Sequence, residues 1–170
     1  LAHRYFGPIA KRDVPAAKRP LELARPGERK ITLHVKTQLP SLMLAFNVPS
    51  IATAKDKRSV HALRLISALL GDGHSARIPT QLQRDEELVS DGSSSYSTYT
   101  RGDSLFLLSA TPNNQKNKTI AQAEAGLWRL LDQLKTTPPT TEELGRVRAQ
   151  VIAGLVYERD SVTRQASAIG

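Results

Sequence analysis

The alternation of apolar and polar residues changes period several times along the chain, and each change marks an element. Lys30 to Thr37 alternates strictly, with Ile31, Leu33 and Val35 on one face and Thr32, His34 and Lys36 on the other. A period of two predicts a half-buried strand. Gln38 to Pro40 turns the chain, and Leu42 to Val48 (LMLAFNV) is a nearly continuous apolar run. Such a run predicts a strand buried on both faces or at the sheet centre. The short connection predicts antiparallel pairing between the two. The period then lengthens: Val60, Leu63, Ile66, Leu69 and Leu70 recur at helical spacing, with Asp56 or Ser59 available as the cap. Gly71 and Gly73 follow, where a left-handed helix cap needs a residue without a Cβ. Ser75 offers an N-cap for a second helix, Arg77 to Leu88, whose apolar side is Ile78, Leu82 and Leu88.

The second half repeats the scheme. Val89 to Thr100 is serine-rich with Tyr96 and Tyr99, which predicts a solvent-facing strand. Arg101-Gly102-Asp103 is a tight turn, and Leu105 to Ala110 (LFLLSA) is a core strand ended by Pro112. Thr119 to Lys135 carries Ile120, Ala123, Leu127, Leu130, Leu131 and Leu134 at three and four spacing, with Trp128 beside them. TTPPT (136–140) breaks that helix. Thr140 and Glu143 then form a capping box, and Leu144, Val147, Val151, Leu155 and Val162 carry a last long helix to about Ser167. The order β-β-α-α-β-β-α-α predicts an α+β fold: a mainly antiparallel sheet with helices packed on one face.

Composition narrows this picture. The 170 residues amount to one domain with an appendage. With no cysteine, disulfides, thiolate metal sites and a cysteine nucleophile are excluded. No apolar run reaches the ~18 residues of a membrane span, and Leu1 to Ala10 has no signal-peptide pattern. The net charge of +8 is unevenly placed. Leu1 to Lys36 holds nine basic against three acidic residues, and the rest holds fifteen against thirteen. The basic stretch also holds Pro15, Pro20 and Pro26, whose spacing defeats both helix and ladder. Residues 10–29 therefore read as a basic, proline-rich linker, 1–9 as the tail of a preceding domain, and 30–170 as the domain proper. A nucleic-acid binder would carry its basic stripe on folded elements with aromatic or recognition-helix chemistry; this chain has neither, so no nucleic-acid partner is expected.

No catalytic constellation emerges. His3, His34, His61 and His74 lack partners at metal-binding spacing, and HExxH, HxxEH and GxSxG are all absent. His74 lies beside Gly71-Asp72-Gly73, but that turn lacks the lysine of a phosphate loop. Asp85-Glu86-Glu87 points to different sides of a helix and reads as solvated. Neither catalytic residues nor metal ligands are expected.

The succession of motifs resembles the second, non-catalytic domain of the pitrilysin/insulinase zinc peptidases, of the mitochondrial-processing-peptidase type. YFGPI (5–9) followed by the proline-rich linker resembles the end of that family's first domain. GERKITLHVKTQLPSLMLAFNVPS (27–50) resembles the opening strands of its second. HALRLISALLGDGHSARIPTQLQRDEELVSDGSSSY (61–96) resembles its helix, glycine turn and helix, while SLFLLSATPNN (104–114) and TTPPTTEELGRVRAQVIAGLVYERDS (136–161) resemble its later strand and paired helices.

The resemblance implies an α+β processing-peptidase-like, metallohydrolase-like domain that continues past Gly170 by a further strand and helix. It implies that zinc, the cofactor, belongs to the family's first domain or to a partner subunit. It also places the family's Arg and Tyr, which hold the substrate carbonyl, at Gln83 and Ser90; neither residue is the required one, and Arg84 is one position off. The expected role is an inactive C-terminal-half domain of a zinc metallopeptidase, contributing to a chamber for extended peptides or pairing with a catalytic domain or subunit. The rival is a non-proteolytic structural or assembly subunit, like the core proteins of respiratory complexes. A homodimer stays open, and the compartment reading leans to the bacterial periplasm.

Overall fold

Segments that contact one another divide the chain into two units, Leu1–Leu33 and His34–Gly170. A computed structural model describes residues 2–13, 15 and 27–169. In the first unit, a single turn of helix, α1 (Ala2–Phe6), leaves Tyr5 and Phe6 exposed. Most of the expected linker lies outside the described residues. The strand expected over 30–37 does not form. Among the described residues, none of 30–37 belongs to a strand, and Ile31, Leu33 and Val35 are 81%, 79% and 69% exposed. Alternation specifies which face a strand would bury, but a strand exists only beside a ladder partner.

The second unit is built on a three-stranded antiparallel sheet: β1 (Leu42–Val48), β2 (Val89–Tyr96) and β3 (Ser104–Pro112), in the order β1-β3-β2. β3 is central. Its helix-facing residues Phe106, Leu108 and Ala110 are almost fully buried. β1, expected to be buried on both faces or at the sheet centre, is at the edge of the sheet among the described residues, and its side chains alternate between half-buried and exposed. A continuous apolar run shows that both faces are apolar, and says nothing about how many strands flank it. β2 ends at Tyr96, four residues short of its expected end, because the chain then folds over the loop after β1. There the Ile51 amide donates to the Thr98 carbonyl, the Ser50 hydroxyl to the Thr100 carbonyl, and the Tyr96 hydroxyl to the Pro49 carbonyl. Burial raises the Tyr96 pKa above the ordinary phenol value.

All the packed helices lie on one face of this sheet. α2 (Lys57–Gly71) is capped by Asp56, whose carboxylate accepts from the Arg58 amide at 2.9 Å. α3 (Ile120–Thr136) has a full capping box between Thr119 and Gln122. Leu70 from α2, Ala123, Leu127 and Leu130 from α3, and Ile78, Leu82 and Leu88 between them close over Phe106 and Leu108. The opposite face of the sheet is uncovered, with Met43 and Leu105 exposed and Ser93 and Ser109 joined by a 2.8 Å hydroxyl contact.

Two glycines divide the roles expected of them. Gly73 has φ +78° and takes the left-handed position. Gly71 is still helical; what it supplies is space. A Cβ there would overlap the Ser94 amide nitrogen and lie 2.9 Å from the Ser93 carbonyl carbon. The end of α2 therefore lies against the backbone of β2.

The expected last helix is broken. α4 (Thr141–Tyr157) passes into a short 3-10 turn, Glu158–Asp160, and α5 (Val162–Ile169) starts afresh after Ser161. The capping box of α4 is half formed. The Thr140 hydroxyl accepts from the Glu143 amide, but the Glu143 carboxylate turns away to Arg77. A guanidinium with two aligned donors outcompetes one backbone amide for a carboxylate.

Candidate functional site

The segment from Ile78 to Ser90 holds both positions marked out in the sequence. The helix expected over 77–88 is shorter and wider: a π-helix, Ile78–Asp85. Ser75 does not cap it. The start is instead organised by Pro79, which has no amide to satisfy, and by the Thr80 hydroxyl, which donates to the Ala76 carbonyl at 2.8 Å. The end closes by wide turns, with the Glu86 amide donating to the Gln81 carbonyl and the Leu88 amide to the Leu82 carbonyl. Glu87 reverses the chain at φ +47°, a conformation that costs a non-glycine residue free energy. Leu88 and Val89 then enter the core, and a bulge between Val89 and Asp91 starts β2.

That reversal brings Gln83 and Ser90 together. The Gln83 side-chain amide donates to the Ser90 carbonyl at 3.0 Å, and the Ser90 hydroxyl donates to the Thr111 carbonyl at 3.3 Å. Both residues are exposed, yet their polar groups are engaged with one another and with β3. A carboxamide and a hydroxyl held this way carry no charge and offer no general acid or base. Arg84, one residue on, is exposed.

The acidic run beside this site is not simply solvated. Glu86 takes both carboxylate oxygens to Arg129 of α3, at 2.5 and 2.6 Å, and Glu87 meets Lys116 at 2.9 Å. These pairs are more than a third exposed, and each contributes at most about 1 kcal/mol. They tie the π-helix and its turn to neighbouring elements.

A stronger tie lies at the other end of the segment. Arg77 donates from Nε and Nη2 to the two oxygens of Glu143, at 3.0 and 2.9 Å, with side chains only 12% and 19% exposed. This bidentate bond holds the Glu143 carboxyl below the ordinary carboxylate value and raises Arg77. Nearby, Arg146 donates to the Ser75 carbonyl, and Val147 and Val151 pack on Leu65, Ala68 and Leu69. α4 is thus held against α2 by a small apolar cluster, and tied to the start of the π-helix by one ion pair. Sequence reading missed the pair because residues 66 positions apart leave no local signal.

Among the described residues, no three His, Cys, Asp or Glu side chains come together as a metal site. His34, His61 and His74 are exposed.

Against this geometry, the comparisons are decisive about kinship. The model of the Peptidase M16 inactive domain matches residues 1–151. The chain belongs to this family. Of the solved structures, a protease from Helicobacter pylori matches this M16 domain with a TM-score of 0.67 and 27% identity, over 77% of this chain and 30% of that one. A conserved protein from Enterococcus faecalis V583 shares the fold, with a TM-score of 0.62 and 16% identity, over 78% of this chain and 29% of that one. The M16 domain thus spans less than a third of the length of either structure. No curated protein matches it. No helix among its described residues is long and apolar enough to cross a membrane.

Proposed function

We propose that this M16 domain serves as the non-catalytic half of a zinc peptidase, packing beside a catalytic domain or subunit and helping to enclose an extended peptide substrate. The observation that carries the reading is the closed Gln83–Ser90 pair. In the family's working sites, as the sequence resemblance has it, these positions supply an arginine and a tyrosine to the substrate carbonyl. Such donors act by meeting the charge that develops on that oxygen. Here a neutral carboxamide and a hydroxyl stand instead, each with a hydrogen bond to a backbone carbonyl, and neither brings the positive charge of a guanidinium. The contribution left to the domain is shape: a sheet with helices packed on one face and exposed residues on the other.

The experiment is a reconstitution. The domain is mixed with a zinc-loaded first domain that carries the HxxEH ligands, and peptide cleavage is followed. The expected result is cleavage that rises with added domain and saturates. Stable association with no gain in cleavage would overturn this reading in favour of the structural or assembly subunit.

A further inference from the structure

α4 and α2 start packed together and then part. Arg77, just past the end of α2, is bonded to Glu143 in the first turn of α4, and Arg146 donates to the Ser75 carbonyl. α4 therefore runs back along α2, antiparallel to it. Val147 and Val151 of α4 meet Leu65, Ala68 and Leu69 of α2. The same face continues at Gly154 and Glu158 on α4, and at His61 and Arg58 on α2. There the contact ends. A Cβ at Gly154 would meet nothing within 4 Å, Leu155 is 42% exposed, and Arg58, His61 and Ala62 are exposed. Packed helices sit about 8–10 Å apart with their side chains interdigitated. Here two facing stripes stop short of one another and leave a cleft.

The two walls differ in chemistry. The α2 wall is basic: Lys57 and Arg58 are exposed and Arg64 is half-buried, and none of the three has an ion pair among the described residues. Asp56, the carboxylate at this end of α2, is occupied as its cap. The α4 wall and its lip are apolar, with Ile152 and Val156 beside Leu155 at 57% and 53% exposure. Its carboxylate, Glu158, is already bonded to Arg164 at 2.9 Å.

We propose that the cleft between the N-terminal half of α2 and the C-terminal half of α4 docks an acidic amphipathic helix of a partner chain. Its apolar stripe lies on Leu155 and over Gly154, and its carboxylates meet Lys57, Arg58 and Arg64. Charge complementarity selects the acidic flank, because the cations of α2 are of one sign and unanswered. The walls select a helix. Their backbone groups are bonded within α2 and α4, so an extended segment seated there would leave its own amides and carbonyls without partners. A membrane surface is flat, whereas Leu155 and Arg58 lie on opposite walls. The proposal concerns the helix layer and does not rest on the peptidase reading, so failure of the reconstitution leaves it standing.

The test uses the whole chain and a synthetic helical peptide of Glu, Ala and Leu, with leucine along one stripe and glutamate beside it. The expected result is saturable binding that weakens with added salt, with backbone amide changes in residues 57–65 and 151–158. The double variant Lys57→Glu, Arg58→Glu binds about tenfold or more weakly, and a peptide with Lys in place of Glu recovers part of that loss. Gly154→Leu fills the cleft from the α4 wall. It replaces a helical glycine and meets no neighbour, so the domain stays folded while binding is lost. No binding, amide changes centred elsewhere, equal binding of the lysine peptide to the parent chain, or full binding by Gly154→Leu would each overturn the proposal. So would vesicles of anionic phospholipid that shift these amides where the peptide does not.

Discussion

Gly71→Ala should destabilise the domain by about 3 kcal/mol or more. The sign is the informative part. In an open helix, replacing glycine by alanine stabilises by up to about 1 kcal/mol, because the unfolded chain loses freedom and the helix gains propensity. Gly71 is helical, so propensity alone predicts a gain. The close approach of β2 reverses it. The new Cβ would collide with the Ser94 amide nitrogen, with the Ser94 Cβ at 2.8 Å and with the Ser93 carbonyl carbon at 2.9 Å. Two of these three are backbone atoms of a paired strand, so no rotamer change relieves the overlap. Gly73→Ala is the control: it meets nothing nearer than the Gln150 side chain at 3.9 Å and bears only the left-handed strain, about 1 kcal/mol. Urea unfolding of the two variants separates them. If Gly71→Ala is as stable as the parent, the packing of α2 on β2 described here is wrong.

Second in size is the loss of Glu143. The Arg77–Glu143 pair lies between the surface and buried classes, and solvent reaches part of both side chains. Its removal by Glu143→Ala should therefore cost about 1–2 kcal/mol, more than a surface pair and less than a fully buried one. The pair also sets an acid limit. Glu143 has its folded pKa lowered, chiefly by the hydrogen bond from Arg77. Its contribution is present above the unfolded carboxylate value and fades as the pH falls through the lower folded value. Stability of the parent should drop across that acid window, and the drop should be shallower in Glu143→Gln. Parallel acid limbs in the two proteins would show that the pair is not formed in solution. Because α4 has only Val147 fully buried, hydrogen exchange should show it opening before α2 and α3.

Local signals located most of the fold. Asp56 before α2, the 3- and 4-residue spacing of Ile120 to Leu134, and the LFLLSA run of β3 each act within a few residues, so periodicity and capping were enough to place them. Several misreadings share one cause: each depends on a partner far along the chain. Ile31, Leu33 and Val35 have a strand's alternation and, among the described residues, no ladder beside them. LMLAFNV is apolar throughout, yet nothing in it tells an edge from a centre. Gly71 reads as a cap until β2 is seen against it. Glu143 has the spacing of a capping box and is drawn away by an arginine 66 residues earlier.

The candidate site divides in the same way. The resemblance placed Gln83 and Ser90 at the two positions. The bond that joins them needs the turn at Glu87, whose positive φ no sequence pattern announces. The partial exposure of Trp128 and Ile120 was equally hidden, because a helical stripe reads as core until the sheet beneath it is known.

The central claim is that this M16 inactive domain keeps the family's fold without its chemistry. The most direct measurement is turnover by the purified chain on casein and on a fluorogenic peptide, alongside its zinc content, with zinc added and after chelation. The account predicts no cleavage above buffer in any condition and no stoichiometric zinc. Cleavage that tracks one bound zinc per chain and disappears on chelation would contradict it.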